Sequence, residues 1–179
     1  MKITPSIERY ILHWGEMGTR WGVNRSVSQI HALLYLSPDA LTAEEISETL
    51  GIARSNVSTS LKELQAWQLV RVTQKLGDRR DHFTAEKDLW TMLLTIVAER
   101  KKREIDPTLS LLRDTKLDAS EDPEIADEVK ERMFRMLEFI ETLASWYEKM
   151  QKLPKPTLVA LMKLGTGVAK FLPKGKDTD

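Results

Sequence analysis

Arg54, Ser55, Ser58, Thr59 and Lys62 fall on one face of a helical repeat, two cations flanking short hydroxyls. Such a face suits the major groove of a nucleic-acid duplex. The cations meet phosphates or guanine edges, and the hydroxyls bond bases or phosphates without bulk. Val57, Leu61 and Leu64, at i, i+4 and i+7, give the opposite side an apolar stripe. An ordinary surface helix carries a similar pattern, so the neighbours of Ala53 to Lys62 must decide. Rival chemistries are poorly supplied. Cys is absent, which excludes disulfides, thiolate catalysis and cysteine zinc sites, and His13, His31 and His82 have no metal-ligand spacing. His31 lies on an apolar stripe and reads as a core histidine rather than a ligand. No nucleophile stands with a base and no carboxylates are paired in a glycine-framed setting, so the sequence predicts neither an enzyme nor a bound cofactor or metal.

The elements that must position this face are legible on both sides. Thr42 to Glu45 forms a capping box, Ile46 and Leu50 give the helix behind it an inward side, and Gly51 ends that helix. Two short helices joined by a glycine turn make a helix-turn-helix, a stronger signal than either helix alone. After Trp67 the period changes to that of a hairpin: Leu69 to Thr73 alternates, Gln74 to Arg80 is a basic loop, and Asp81 to Thr84 returns. A hairpin in this place is a wing, and Lys75, Arg79 and Arg80 put cations where a narrow minor groove attracts them.

Upstream, Ile7, Tyr10, Ile11 and Trp14 predict a helix from Pro5 to about Met17, interrupted by Gly15, Gly18 and Gly22. These glycines match no nucleotide-binding fingerprint and follow no strand, so they read as a tight, aromatic-packed turn. Ser26 and Gln29 predict a capping box for a second, buried helix reaching Leu36. Downstream, Leu89, Met92, Leu93, Ile96 and Val97 mark a helix from near Glu86 that continues into the charged run Glu99 to Glu104. Pro107 kinks or restarts it, and Asp118 to Glu121 reads as a linker before a helix begun by Asp122 and Pro123. Within that helix Val129, Met133, Met136, Ile140, Leu143, Tyr147 and Met150 alternate steps of four and three, a seam that calls for a partner helix and predicts a dimer interface, although packing within the chain would also satisfy it. A last helix through Leu158, Leu161, Met162, Val168 and Leu172, with Gly165 and Ala169 for close packing, precedes a frayed Lys174 to Asp179 tail.

The totals bound this reading. With 41% hydrophobic and 30% charged residues over 179, the chain is ordered and helix-rich. No apolar run approaches bilayer length and Met1 to Glu8 has no signal pattern, which predicts a cytoplasmic protein without a membrane partner. Net charge is +0, but Arg54 to Arg80 holds six cations against two anions, and Asp118 to Glu141 holds nine anions against three cations. Only the first segment is suited to an anionic polymer. The expected fold class is mainly α with a small β-hairpin wing: N-terminal helices over residues 1–36, a winged helix-turn-helix over 37–86, and a helical dimerisation region over 87–179. A winged-helix protein-interaction module that no longer binds DNA is the alternative that zero net charge suggests.

In this order of elements the chain resembles the MarR superfamily of winged-helix regulators. The words HWGEMGTRWGVNR, AEEISETLGIARSNVSTSLKELQAWQLV, LGDRRDHF and ERKKREIDPTL look like its GbsR branch, with the resemblance strongest from Thr4 to Leu112. The resemblance implies a homodimeric, sequence-specific transcription regulator of double-stranded DNA, usually a repressor, of a kind that controls uptake or synthesis of compatible solutes under osmotic stress. It places Arg54, Ser55, Asn56, Ser58, Thr59 and Lys62 on the recognition helix, with Asp78 orienting Arg80 on the wing while neighbouring cations reach DNA. Thr42, at a helix start, would meet phosphate through backbone N–H groups. Ala53 departs from the pattern, since many relatives have a Ser cap there; its loss costs about 1 kcal/mol unless Ser55 supplies the hydroxyl. For an effector, Trp14, Trp21 and Trp90 would line an aromatic cage for a betaine- or choline-like solute, because ring faces attract quaternary ammonium.

Overall fold

The computed structural model describes residues 1–164 and 167. Gly165, Val168, Ala169, Leu172 and the Lys174 to Asp179 tail of the predicted last helix lie outside the described residues. The chain divides into two units, Met1–Glu99 and Arg100–Asp179.

The first unit is built around an apolar helix. In chain order it contains α1 (Pro5–Arg20), α2 (Arg25–Leu36), β1 (Leu41–Thr42), α3 (Ala43–Leu50), α4 (Arg54–Ala66), β2 (Val70–Lys75), β3 (Asp78–Ala85) and α5 (Leu89–Arg100). Ile30, Leu33 and Leu34 of α2 are at most 1% exposed and share one core with Ile11, Ile46, Val57, Leu61, Leu64 and Phe83. The first two helices therefore belong to the same packed body as the helix-turn-helix, and no break in the core falls at residue 36. The strands form an antiparallel sheet in the order β1-β3-β2, with Phe83 opposite both Leu41 and Val72. β1 is two residues long, too short for any alternation to show in the sequence.

Several boundaries move for physical reasons. The first helix does not stop at Met17 but runs through Gly15 and Gly18 to Arg20. These glycines let α1 and α2 approach: a Cβ on Gly18 would lie 2.7 Å from the Ser28 Cβ, and one on Gly15 would lie 2.7 Å from Gln29 Cγ. Only Gly22, at φ +77°, makes the turn. Asn24 rather than Ser26 caps α2, its Oδ1 accepting from the Ser26 N–H at 2.8 Å. Lys87 was invisible as a structural residue. Its ammonium donates to the carbonyls of Leu34, Tyr35 and Ser37 at 2.6, 2.8 and 2.7 Å, satisfying the C-terminal end of α2 where no glycine cap exists. His31 takes the core role expected of it. Burial, assisted by the nearby Lys87 charge, pushes its pKa down to about 4, and its Nε2 has no partner. A neutral imidazole at pH 7 follows.

In the second unit a π-helical turn, Lys101–Ile105, leads into α6 (Asp106–Glu121). Pro107 explains it, because a proline lacks the N–H that would bond Arg103 and its ring crowds that carbonyl. Asp118 to Glu121 is the last turn of α6 rather than a linker, and α7 (Asp127–Gln151) begins after Ala126, later than Asp122. α8 spans Lys155–Leu164. α6 and α7 pack through Leu109, Leu137 and Ala144, with Leu112 and Ile140 at the margin. Arg113 Nε donates to Glu141 at 2.9 Å beside them. The expected seam is thereby split between two faces. Met133, Ile140, Tyr147 and Met150 are half-buried, whereas Val129, Met136 and Leu143 are exposed, in line with Phe139 and Trp146. No described helix is long and apolar enough to cross a membrane.

The α1/α2 contact yields a measurable expectation. In an exposed helix Gly→Ala gains up to ~1 kcal/mol of propensity, but at Gly18 the added methyl must displace Ser28. Gly18→Ala is expected to lower unfolding stability by about 1–3 kcal/mol, and Ser28→Gly in the same chain to restore part of it, as read by urea denaturation.

Candidate nucleic-acid interface

α4 turns a clean polar face outward. Val57, Ser60, Leu61 and Leu64 are buried, while Arg54, Ser55, Asn56, Ser58, Thr59 and Lys62 are exposed. The helix is set by what precedes it: Thr42 Oγ1 accepts from the Glu45 N–H, the Glu45 carboxylate accepts from the Thr42 N–H at 2.7 Å, and Gly51 at φ +63° reverses the chain. The Thr42 N–H and the Thr42 hydroxyl, which donates to Glu45 Oε2 at 2.9 Å, hold the Glu45 pKa below the usual carboxylate value. Thr42 is only 1% exposed and its N–H is bonded to Glu45, so within the protein it acts as the cap of α3. Ala53 caps α4 without a side-chain bond, and Ser55 does not replace it.

Two further residues of the face are partly committed within the protein. Asn56 Nδ2 donates to Ser26 Oγ on α2 at 3.0 Å, which places it toward the α2 edge. Thr59 Oγ1 donates back to the Ser55 carbonyl at 3.1 Å. Ser58 stands exposed on the outward side, with Lys62 exposed one turn further along the helix. At its far end α4 stops at Ala66, and Gln68 just beyond adopts φ +57° and donates from Nε2 to the buried Glu99 of α5 at 2.9 Å. The pattern carried no signal of this anchor.

The wing is the β2/β3 hairpin, whose tip is Leu76 and Gly77, the latter at φ +85°. The residue at the very tip is thus a fully exposed leucine, with Lys75 and Arg79 flanking it on the strands. Asp78 is bonded to Arg80 through both guanidinium and backbone. Arg80 Nε donates to Asp78 Oδ1 at 2.9 Å, its Nη2 to Oδ2 at 2.5 Å, and its backbone N–H to Oδ1 at 3.0 Å. These bonds hold the Asp78 carboxyl well below the usual carboxylate range. His82, 6% exposed, donates from Nδ1 to the Arg80 carbonyl at 3.0 Å, steadying the same strand.

Glu44, which pattern reading did not single out, joins helix to wing. Its Oε1 accepts from Arg54 Nη2 of α4 and its Oε2 from Arg80 Nη1 of β3 at 3.3 Å. One carboxylate therefore joins the start of α4 to the outer part of β3 in the wing, giving a single surface of helix and hairpin. Among the described residues no carboxylate partner holds Lys62, Lys75 or Arg79, so these cations remain available to an anion.

The three tryptophans do not make an enclosed cage. Trp14 packs against the core with its ring edge-on to Tyr10 at 5.8 Å, Trp21 is 67% exposed, and Trp90 is half-buried on α5. The shallow depression along α1 is lined by Pro5, Glu8, Arg9, Leu12, His13 and Glu16, not by these rings.

Known proteins share this arrangement. Residues 21–81 match the model of the MarR family. The chain is 23% identical over 157 residues to the HTH-type transcriptional repressor GbsR of Bacillus subtilis, covering 86% of this chain and 83% of that protein. It is 18% identical to the putative HTH-type transcriptional regulator YvaV of the same organism, covering 84% and 86% of the two chains. A crystal structure of a transcriptional regulator superposes with a TM-score of 0.67 at 18% identity, over 82% of this chain and 96% of the other. The segment that matches the MarR family model runs from the turn before α2 into β3, and it is folded here as a winged helix-turn-helix.

Proposed function

We propose that this protein is a sequence-specific DNA-binding transcriptional regulator, a repressor, that acts as a homodimer on a pseudo-palindromic operator. The observation that carries the reading is the continuous surface of α4 and wing. Its centre is uncharged hydroxyls and its edges are the unpaired cations Lys62, Lys75 and Arg79. Small hydroxyls at the centre suit base edges, and cations at the rim suit phosphates on either side of a groove. The relatives described as a transcriptional repressor and a putative transcriptional regulator support the same role. Compatible-solute genes under osmotic stress, with a betaine- or choline-like solute as effector, are the regulon that the sequence resemblance described above implies.

Dimerisation is supported by the outer face of α7. Val129, Met136, Phe139, Leu143 and Trp146 are between 46% and 59% exposed and recur at heptad spacing. A second copy would bury them. Two recognition helices related by a two-fold axis would then read half-sites about 10 base pairs apart, centre to centre.

Gel-shift and footprinting with DNA from upstream of its own gene test the DNA reading. A specific shift is expected. Arg79→Ala should weaken binding to every sequence and lower the salt slope by about one phosphate contact, whereas Ser58→Ala should change site preference. An Arg79→Ala protein with unaltered affinity and salt slope would contradict the wing's role. For the dimer, sedimentation of Phe139→Glu is expected to show monomers at concentrations where the parent chain is dimeric; an unchanged dimer would place the interface elsewhere.

A further inference from the structure

The arginines of the DNA face fall into two classes, and Glu44 divides them. Arg79 has no carboxylate partner, but Arg54 and Arg80 share Glu44 between them. Arg80 is also held edge-on by Asp78, at 2.9 Å through Nε and 2.5 Å through Nη2. Most of the Arg80 guanidinium donors are thereby used inside the protein. Arg54, 68% exposed, bonds Glu44 through Nη2 alone and keeps Nε and Nη1 free beside the start of α4. The group formed by Arg54, Arg80, Glu44 and Asp78 sums to zero charge on a surface whose other cations are unpaired.

We propose that Glu44 is a specificity-determining residue of this face, a conclusion that rests on the DNA-binding reading above. Its carboxylate occupies the place a phosphate oxygen would take between Arg54 and Arg80. A generic phosphate that displaces it exchanges one charged acceptor for another and leaves a carboxylate, 39% exposed, among phosphates. Little is gained by that exchange. A site that offers Arg54 the paired acceptors of a guanine edge in the right register lets the arginine bond bidentately while the Glu44 pair is kept. Glu44 therefore lowers affinity for arbitrary duplex more than for the operator. It also fixes the angle between α4 and the wing, because its two oxygens bond different elements. The capping of α3 runs through Thr42 and Glu45 and is independent of it.

The test compares Glu44→Gln and Glu44→Asp with the parent chain. The probes are a random-sequence 30-base-pair duplex and an operator duplex selected by the parent chain from a random pool. Fluorescence anisotropy is recorded from low to moderate salt. Glu44→Gln is expected to bind the random duplex about tenfold more tightly and to bind the operator with little change, so that the specificity ratio drops about tenfold. Its salt slope on the random duplex should steepen by one to two phosphate contacts, about 0.9 per contact. Glu44→Asp keeps the negative charge beside the arginines, and should retain weak random binding and a specificity ratio close to that of the parent chain. An unchanged ratio in Glu44→Gln, or an equal loss on both duplexes, would overturn the proposal while leaving the DNA reading standing. A parent chain that binds neither duplex would overturn both. Thermal unfolding of each variant separates these outcomes from misfolding, and a destabilised Glu44→Gln chain would assign Glu44 to structure instead.

Discussion

Everything that this fold presents outward depends on three apolar side chains, Val57, Leu61 and Leu64, that seat α4 against α2. A recognition helix must expose one uncharged polar face and still be fixed in angle, so its inward stripe can be only one residue wide per turn. Fully burying such side chains contributes about 1.5–3 kcal/mol each, and their partners Ile30, Leu33 and Leu34 are among the most buried residues of the chain. That is why the second half of α2, Ala32 to Leu36, is wholly apolar and why its end must be closed by something other than its own sequence. Lys87, reaching back from the residue pair after the wing, closes it with three hydrogen bonds. The result ties wing, α2 and recognition helix into one rigid body.

Periodic features of this body could be read from sequence, because period and cap chemistry are local. The capping box at Thr42 and Glu45, the glycine at 51, the α4 stripe and the alternating hairpin are all observed. What could not be read is set by tertiary contact. Gly15 and Gly18 look like helix breakers until α2 is seen against them. Asn24 and Ser26 are equally good caps on paper, and Asn24 caps while Ser26 instead meets Asn56 across thirty residues of chain. Thr42 sits at a helix start, as a phosphate site should, but the sheet built by β1 buries it. The Glu44 bridge joins residues ten and thirty-six positions apart, beyond any spacing rule. In α7, a seven-residue repeat was visible, but a repeat does not say which side faces α6. The structure gives that side to Leu137, Ile140 and Ala144 and leaves Phe139 and Trp146 outside.

Charge follows the same division of labour. A neutral chain can attract an anionic polymer where its cations are left unpaired, and pairing, not count, decides which those are. Asp78 and Glu44 make Arg80 part of the wing's frame, whereas Lys62, Lys75 and Arg79 supply the field. On the proposed DNA reading, electrostatic affinity and sequence reading fall to different residues of one surface, so that each can vary without dismantling the other.

Hydrogen–deuterium exchange of the protein with and without operator duplex tests the central claim that helix and wing act as a single reading surface. Slowed exchange is expected in two separated stretches, the first turns of α4 from Arg54 and the hairpin from Lys75 to Arg80, appearing together at the same DNA concentration. Protection confined to one of them, or spread over α7 instead, would contradict it.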